Sequence, residues 1–532
     1  MRNNNYGHAI KILRSLLIGA SIFLLAYGVY FLFVITFWPY QVEYREAATA
    51  STAYEILSGR NPFDYAEQPN YTNVYGLVFS LVSAAVAVLP GNAFVAARIV
   101  SALFIIINCV TVFFWLKRKT SPELGLPAAT LLLFYQLYSA AGAFPMSLGI
   151  FFSMVPIFLI DIYGWSWKSL AMSFLCSLLG FMTKPYFIVN IAWVGLVSLV
   201  VMPIRTVLAF ACLSALGFVG AVLIVHRLFP AYFDNVFFTN MATATWDQQY
   251  LFSQLKFFLY NNMALLFGIV LSCLGLMLLA KMRKISLPHF KTWGTDLSLV
   301  ASLGGLLLFY VKLGGHTGAA PATYLIDLCG PFLLVAAAKL FYGTSLAIAR
   351  QDPVLGEYGR ILLAGSFLVN GFVAPDLTLE SAALSDAQRK DWEYVSILIA
   401  RSENPLVSPS MDSIVLQNNR TVYDSGMSEY FIYGRKRGGW VGRLFPPDLL
   451  IESRWRTFLS ELGSNIAAKR YDLIALTANY SPFVNLDFVS KYYDLCQRVH
   501  LAMPLSDQNW ETYIFLPKED SPPSSRCVHL EK

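Results

Sequence analysis

"VYGLVFSLVSAAVAVL", residues 74–89, decides how this chain sits in a bilayer. It is apolar throughout, yet shorter than the about 20 residues that a helical span needs. With Arg2, Lys11 and Arg14 the N-terminus is read as cytoplasmic. If 74–89 lies in or dips into the membrane, "KRK" at 117–119 falls on the cytoplasmic side. Lys168, Arg205, "KMRK" at 281–284, Lys291 and Arg350 then fall there too. That is the positive-inside pattern at almost every short loop. If 74–89 spans, the strongest basic loops face outside, so the non-spanning reading is adopted.

The rest of the sequence is built on the same plan. Its 532 residues are 56% hydrophobic and 14% charged, and the mean hydropathy is +0.53. Soluble domains are typically about 45–50% apolar and about 25% charged. Long apolar runs place about eleven transmembrane helices near 15–38, 94–116, 124–141, 146–163, 169–183, 186–203, 206–226, 258–280, 295–312, 321–341 and 359–375. The first run has no small-residue cleavage site and is expected to remain. An odd number of spans puts the C-terminal region outside. The net charge of +6 is spread over loops, which is topology and not a nucleic-acid footprint. Expected domains are a membrane domain, 1–375, with a first external loop at 39–93, and an external α/β domain, 376–532.

In that second domain Trp392, Val395 and Ile399 mark one helix, and Trp455, Phe458, Leu459, Leu462 and Ile466 another. "YDLIALT" (471–477) and "TYIFLP" (512–517) read as buried strands. "EDSPPSSR" near the end reads as a loose tail. Of seven Cys, Cys109, Cys176, Cys212, Cys273 and Cys329 fall in apolar runs, as small hydrophobes do. Cys496 and Cys527 lie in the polar region, where pairing and two free thiols are both open. No Cys/His spacing suggests a metal.

The chemistry is expected in "QVEYREAATASTAYEILSGRNPF", residues 41–63. Ala47, Ala50, Tyr54 and Leu57 recur at helical steps over 45–58, with Gly59 as the stop. Glu43 and Glu46 sit at the N-terminal end of that helix. A carboxylate there is favoured by the helix dipole. On the buried side of a membrane-surface helix it costs energy unless paired or used.

A long first span, an acid on a short external helix, "LxxGxNPF" and "YTNVYGLVF" together resemble the GT-C membrane glycosyltransferases of the aminoarabinose and protein-mannosyl transferase type. The resemblance implies a GT-C-like fold of about 11 spans with juxtamembrane helices in the first external loop. It implies transfer of a sugar from a polyprenyl-phosphate donor to an extracytoplasmic glycan, lipid or protein; the expected chemistry is a single inverting displacement with a carboxylate base. The place of the acid before the Gly-containing turn in relatives implies, by resemblance, Glu46 as that base, with Glu43 next. "LGFMTKPYF" (179–187) is similar to the family's TK motif and implies Lys184 at the lipid phosphate; Arg98 is a further cation expected to hold that phosphate. "YVKLGGHTGAAPATYLIDL" (310–328) implies Lys312, His316, Tyr324 and Asp327 near the external face. Tyr75 is expected to line the sugar site. Relatives carry a second Asp before the fourth span, whereas "SAAGAFPMSLG" (139–149) has no acid, and Asp247 is the substitute considered.

Each residue also has a plain reading: Lys184 snorkelling, Arg98 anchoring, Asp327 paired within the bundle. No cofactor is expected, and a divalent metal stays open. Expected partners are the donor, the acceptor and membrane lipids, with the chain a monomer in a bacterial inner membrane and its site on the periplasmic side. The alternative is a transporter or flippase of a lipid-linked glycan, although the duplicated halves common in transporters are not seen.

Overall fold

The computed structural model describes the chain except residues 1, 44, 90, 240–245, 282–293, 317–322, 351–352, 374–385, 419, 424–426, 429–448, 478–483, 504–505 and 520–532. The membrane part runs α1 (Arg2–Thr36), α2 (Glu46–Leu57), α3 (Leu77–Ala87), α4 (Ala93–Lys119), α5 (Pro122–Ala140), α6 (Met146–Tyr163) and α7 (Trp167–Thr183). It continues through α8 (Val189–Val201), α9 (Ile204–Leu228), α10 (Gln248–Asn261), α11 (Met263–Lys281), α12 (Leu297–Leu308), α13 (Thr323–Ala349) and α14 (Pro353–Val373). A helix lies over each apolar stretch read from the sequence. Among the described residues five helices are long and apolar enough to cross a membrane singly: those starting at His8, Ala93, Met146, Ile204 and Thr323. The chain is an integral membrane protein of mostly helical build.

The apolar segment 74–89 contains only the short α3, about 16 Å long at 1.5 Å per residue. Gly76 explains its docking. Its backbone N–H donates to the Thr183 carbonyl at 2.9 Å. A Cβ there would lie 2.1 Å from the Met182 carbonyl oxygen, so only glycine allows the approach.

The stretch 258–280, expected as one span, departs from that expectation. α10 and the start of α11 meet at 76°, and the break is at Asn262. Its side-chain amide donates to the Phe258 carbonyl at 2.9 Å and its Oδ1 accepts from the Tyr135 hydroxyl. Side-chain bonds replace the interrupted backbone ladder, which is how a helix breaks at membrane depth without unpaired groups.

α2 is enclosed on both sides. Ala53 packs with Ala84, Ala87, Ala93 and Ala96 of α3 and α4. Ala50 packs with Trp392, Met411 and Val415 of the C-terminal domain. Small side chains let two layers approach one helix closely, so "EAATASTA" is a buried segment and not a half-exposed surface helix.

The C-terminal domain comprises α15 (Asp386–Arg401), β1 (Pro405–Val407), α16 (Asp412–Gln417), α17 (Leu449–Ala467), β2 (Leu473–Thr477), α18 (Leu486–Tyr492), β3 (Tyr493–Met503) and β4 (Ser506–Pro517). The sheet order is β1-β2-β4-β3, with β1–β2 parallel and the other pairs antiparallel. β2 is buried along its whole length, as its continuous apolar run requires. Trp392 stacks on Tyr40 at 4.8 Å, and Ser413 N donates to Gln41 Oε1 at 3.1 Å. The domain therefore sits on the segment between α1 and α2. Cys496 is disulfide-bonded, while Cys527 and most of the expected loose tail lie outside the described residues.

Candidate active site

The segment joining α1 to α2 is tied down by one buried ion pair. Arg98, on α4, and Glu46, first residue of α2, are 1% and 0% exposed. Arg98 Nε donates to Glu46 Oε1 at 2.9 Å and Nη2 to Oε2 at 2.8 Å. Nη1 donates to the carbonyls of Ile35 and Trp38 at 3.1 and 2.6 Å, and Nη2 to that of Tyr40 at 2.6 Å. All five guanidinium donors are used. Glu46 also accepts from the Val42 and Ala143 backbone N–H groups, each at 2.8 Å. Its four acceptor positions are filled.

Two of the expected site residues meet here in a closed pair. Glu46 has no position left for a substrate proton, and Arg98 has no donor left for a phosphate. Both are satisfied partners in a bidentate pair. Removing one member would strand a buried charge, at a cost of about 3–5 kcal/mol. The turn between α5 and α6, where no acid was found, supplies backbone instead. Gly142 in that turn has φ +106°, and a Cβ there would lie 2.8 Å from Glu46 Oε1.

Glu43 is different. It is 8% exposed and lies just before α2. Its Oε2 accepts from the Arg45 backbone N–H at 2.7 Å, and its Oε1 from Arg45 Nε at 2.6 Å. Burial pushes its carboxyl above the usual carboxylate range, Arg45 opposes that, and the nearby Glu46 charge adds to it. A raised carboxyl next to a cation suits proton transfer near neutral pH.

Arg45 opens onto a cluster of rings around a lysine. The Arg45 guanidinium lies 5.8 Å from the Phe144 ring centre, and Phe144 meets Tyr75 edge-on at 6.3 Å. Lys184 Nζ stands 5.8, 4.9 and 5.1 Å from the rings of Tyr75, Tyr186 and Tyr324. Lys184 is partly exposed and forms no ion pair among the described residues. It follows the last turn of α7, and the 3-10 turn Pro185–Ile188 places Tyr186 beside it. Asp327, wholly buried on α13, accepts from the Tyr186 hydroxyl at 2.7 Å through Oδ2. Its Oδ1 has no hydrogen-bond partner among the described residues. His316 touches the edge of the cluster, its ring 6.0 Å from Tyr324.

The structure thus brings Glu43, Tyr75, Lys184, Tyr324 and Asp327 together, with His316 at the margin. Asp247 is not among them. It is exposed and caps α10, accepting from Gln249 N and Tyr250 N at 2.6 and 3.1 Å. Lys312 is exposed in the π-turn Phe309–Leu313 and makes no ion pair among the described residues. Arg45, Phe144 and Tyr186 were missed as site residues. Arg45, two steps from Glu43 in sequence, carried a signal in that spacing. Phe144 and Tyr186 had none, because aromatics abound in any membrane protein.

The chain is a polytopic helical membrane protein with a small α/β domain, a fold it shares with a solved structure. ArnT from Cupriavidus metallidurans bound to undecaprenyl phosphate superposes with a TM-score of 0.53 at 13% identity, covering 95% of this chain and 99% of that one. The apo state of the same ArnT gives 0.49 at 12% identity, covering 94% and 98%. The Archaeoglobus fulgidus oligosaccharyltransferase tethered with an acceptor peptide gives 0.44 at 10% identity, covering 94% and 74%. No protein-family model matches the sequence, and no curated protein matches it.

Proposed function

We propose that this protein is a membrane glycosyltransferase that moves a sugar from a polyprenyl-phosphate donor to an extracytoplasmic acceptor. The observation that carries the reading is the pairing of a buried, raised carboxyl at Glu43 with two cations, Arg45 and Lys184, at one end of the bundle. That end is opposite Lys117–Lys119, Lys168, Arg205 and Arg350, which sit at the other ends of the same helices. Positive-inside orientation puts the basic loops in the cytosol and the site outside. The disulfide at Cys496 fits an oxidising compartment for the domain that covers the site.

In the proposed reaction Glu43 accepts the proton of an acceptor hydroxyl. That oxygen bonds to the anomeric carbon as the bond from carbon to phosphate oxygen breaks, with inversion. The electron pair leaves on the polyprenyl phosphate, whose negative charge Lys184 and Arg45 hold. The tyrosines around Lys184 offer faces and hydroxyls to the sugar, and Asp327 Oδ1 offers an acceptor to one of its donors. A divalent metal, left open by the sequence, has no three-ligand cluster among the described residues, and the steps here are those of the chain's own side chains.

The test is transfer from a panel of radiolabelled undecaprenyl-phosphate pentoses and hexoses by membranes carrying the protein or Glu43→Gln. Wild type is expected to release undecaprenyl phosphate, and the variant to insert normally and release none. Wild-type turnover by Glu43→Gln would overturn the reading and favour a carrier of lipid-linked glycans.

A further inference from the structure

The buried pair, Arg98 and Glu46, points to a positioning role. The geometry points to a clasp, in which Arg98 and Glu46 act as positioning residues that hold the strap 37–45, with Glu43 and Arg45, against the Lys184 cluster. The inference rests on the proposed function for its catalytic meaning, but its geometric content stands alone.

Three elements converge on the pair. Arg98 gathers the carbonyls of Ile35, Trp38 and Tyr40, the last turn of α1 and the start of the strap. Glu46 holds the Val42 N–H, one residue before Glu43. The Glu46 N–H in turn donates to the Glu43 carbonyl at 3.2 Å. Glu43 is therefore fixed from both sides by groups that belong to the clasp. The third element is the α5–α6 turn. Ala143 N donates to Glu46, and the Ala143 carbonyl accepts from Thr49 Oγ1 at 2.6 Å. That same turn carries Phe144, which lies between Arg45 and Tyr75. One ion pair thus registers the strap, the turn and α4 against each other.

Charge alone does not explain this arrangement. A lysine at 98 would keep the pairing charge, but it has three donors against five acceptors and lacks the planar fork. A merely stabilising pair would tolerate that change in any molecule that stays folded. A clasp would not, because the carbonyls of the strap would be released.

The experiment measures geometry without reference to any sugar. Arg45→Cys and Lys184→Cys, both at partly exposed positions, are combined in a Cys212→Ser background, and single-cysteine controls report stray reaction. A short bis-maleimide is applied to monodisperse protein. With the clasp intact the pair is expected to cross-link readily. In Arg98→Lys and in Glu46→Gln the rate per folded molecule is expected to fall at least tenfold. Glu46→Asp keeps both oxygens and the charge, and is expected to recover most of the rate.

Should the first two variants not fold, Gly142→Ala disturbs the clasp from the turn without altering any charge, and a fall of about threefold is expected. Unchanged rates in folded Arg98→Lys, or in folded Gly142→Ala if that alone is obtained, would overturn the clasp. So would absence of cross-linking in the intact background. A Glu43→Gln protein that transfers sugar while these rates behave as stated would instead sink the proposed function and leave the clasp standing.

Discussion

The two ends of the helix bundle use charge in opposite ways. At the end with the basic loops, one network of buried and half-buried charges is matched and closed. Asp161 is shared by Lys119 and Lys339 at 3.2 and 3.5 Å and accepts from Trp115 Nε1 at 2.7 Å. Lys339 also reaches Asp296 at 3.1 Å. Arg14 pairs with Glu123 and Glu357, and Glu357 with Arg360. These links join α1, α4, α5, α6, α12, α13 and α14, and each cation has an anion. At the other end Arg98 and Glu46 form the pair buried on both sides, and Glu43–Arg45 and Glu55–Arg60 pair on the same segment. Beside them Lys184 and Asp327 attract each other without closing an ion pair among the described residues, Lys184 facing rings and Asp327 Oδ1 without a hydrogen-bond partner there. Charges that are fully paired hold helices, and charges left with spare valence in a buried place are available to a substrate.

The comparison can be broken most sharply at Glu43. Glu43→Gln is expected to lower transfer by about 10²–10⁴-fold with the protein still folded, which is the usual worth of a positioned base. Radiolabelled transfer and a melting curve on the same preparation check both halves. Arg98→Ala comes next, with an expected loss of about 3–5 kcal/mol in stability from the stranded Glu46, read by denaturant unfolding in detergent. Lys184→Ala is expected to cost about 10²-fold in transfer, as loss of one donor to a developing oxyanion does, with little change in unfolding.

At the opposite end Lys339→Ala is expected to lower stability by about 1.5–3 kcal/mol, the worth of a charged hydrogen bond, and to leave turnover per folded molecule unchanged. A change in turnover there would erase the distinction between the ends. The smallest effect is on pH. Glu43 must be ionised to take a proton, and burial raises its pKa. Activity should therefore rise with pH through a limb lying above the ordinary carboxylate value of about 4.3. A limb at or below that value would mean that Glu43 is not the base.

Much of the membrane part was legible because a span is a long apolar run and needs no partner to be recognised. The short α3 was legible for a related reason: its length and the basic loops gave the same answer. The break at Asn262 was not legible, since the run 258–280 is apolar enough throughout and the bend is sustained by Tyr135, far away in sequence. β3 was missed because "YDLCQRVHLAM" carries its own charges and leans on β4 for register. At the site the motif drew attention to both glutamates and to Lys184. It ranked the two acids by distance along the chain, whereas their roles differ by what surrounds them.

By itself the sequence determined that this protein is a helical membrane bundle followed by strands and helices of another character, because hydropathy acts locally. It also determined that acids follow the first span and a lysine follows α7. Only the tertiary structure decided which acid is spent. Arg98 lies 52 residues from Glu46 and Ala143 lies 97 residues away, and hydrogen-bond saturation is a property of neighbours in space. A carboxylate already holding four donors has nothing to offer a substrate. Its neighbour three residues earlier is held through its carboxylate by Arg45 in the bonds described above.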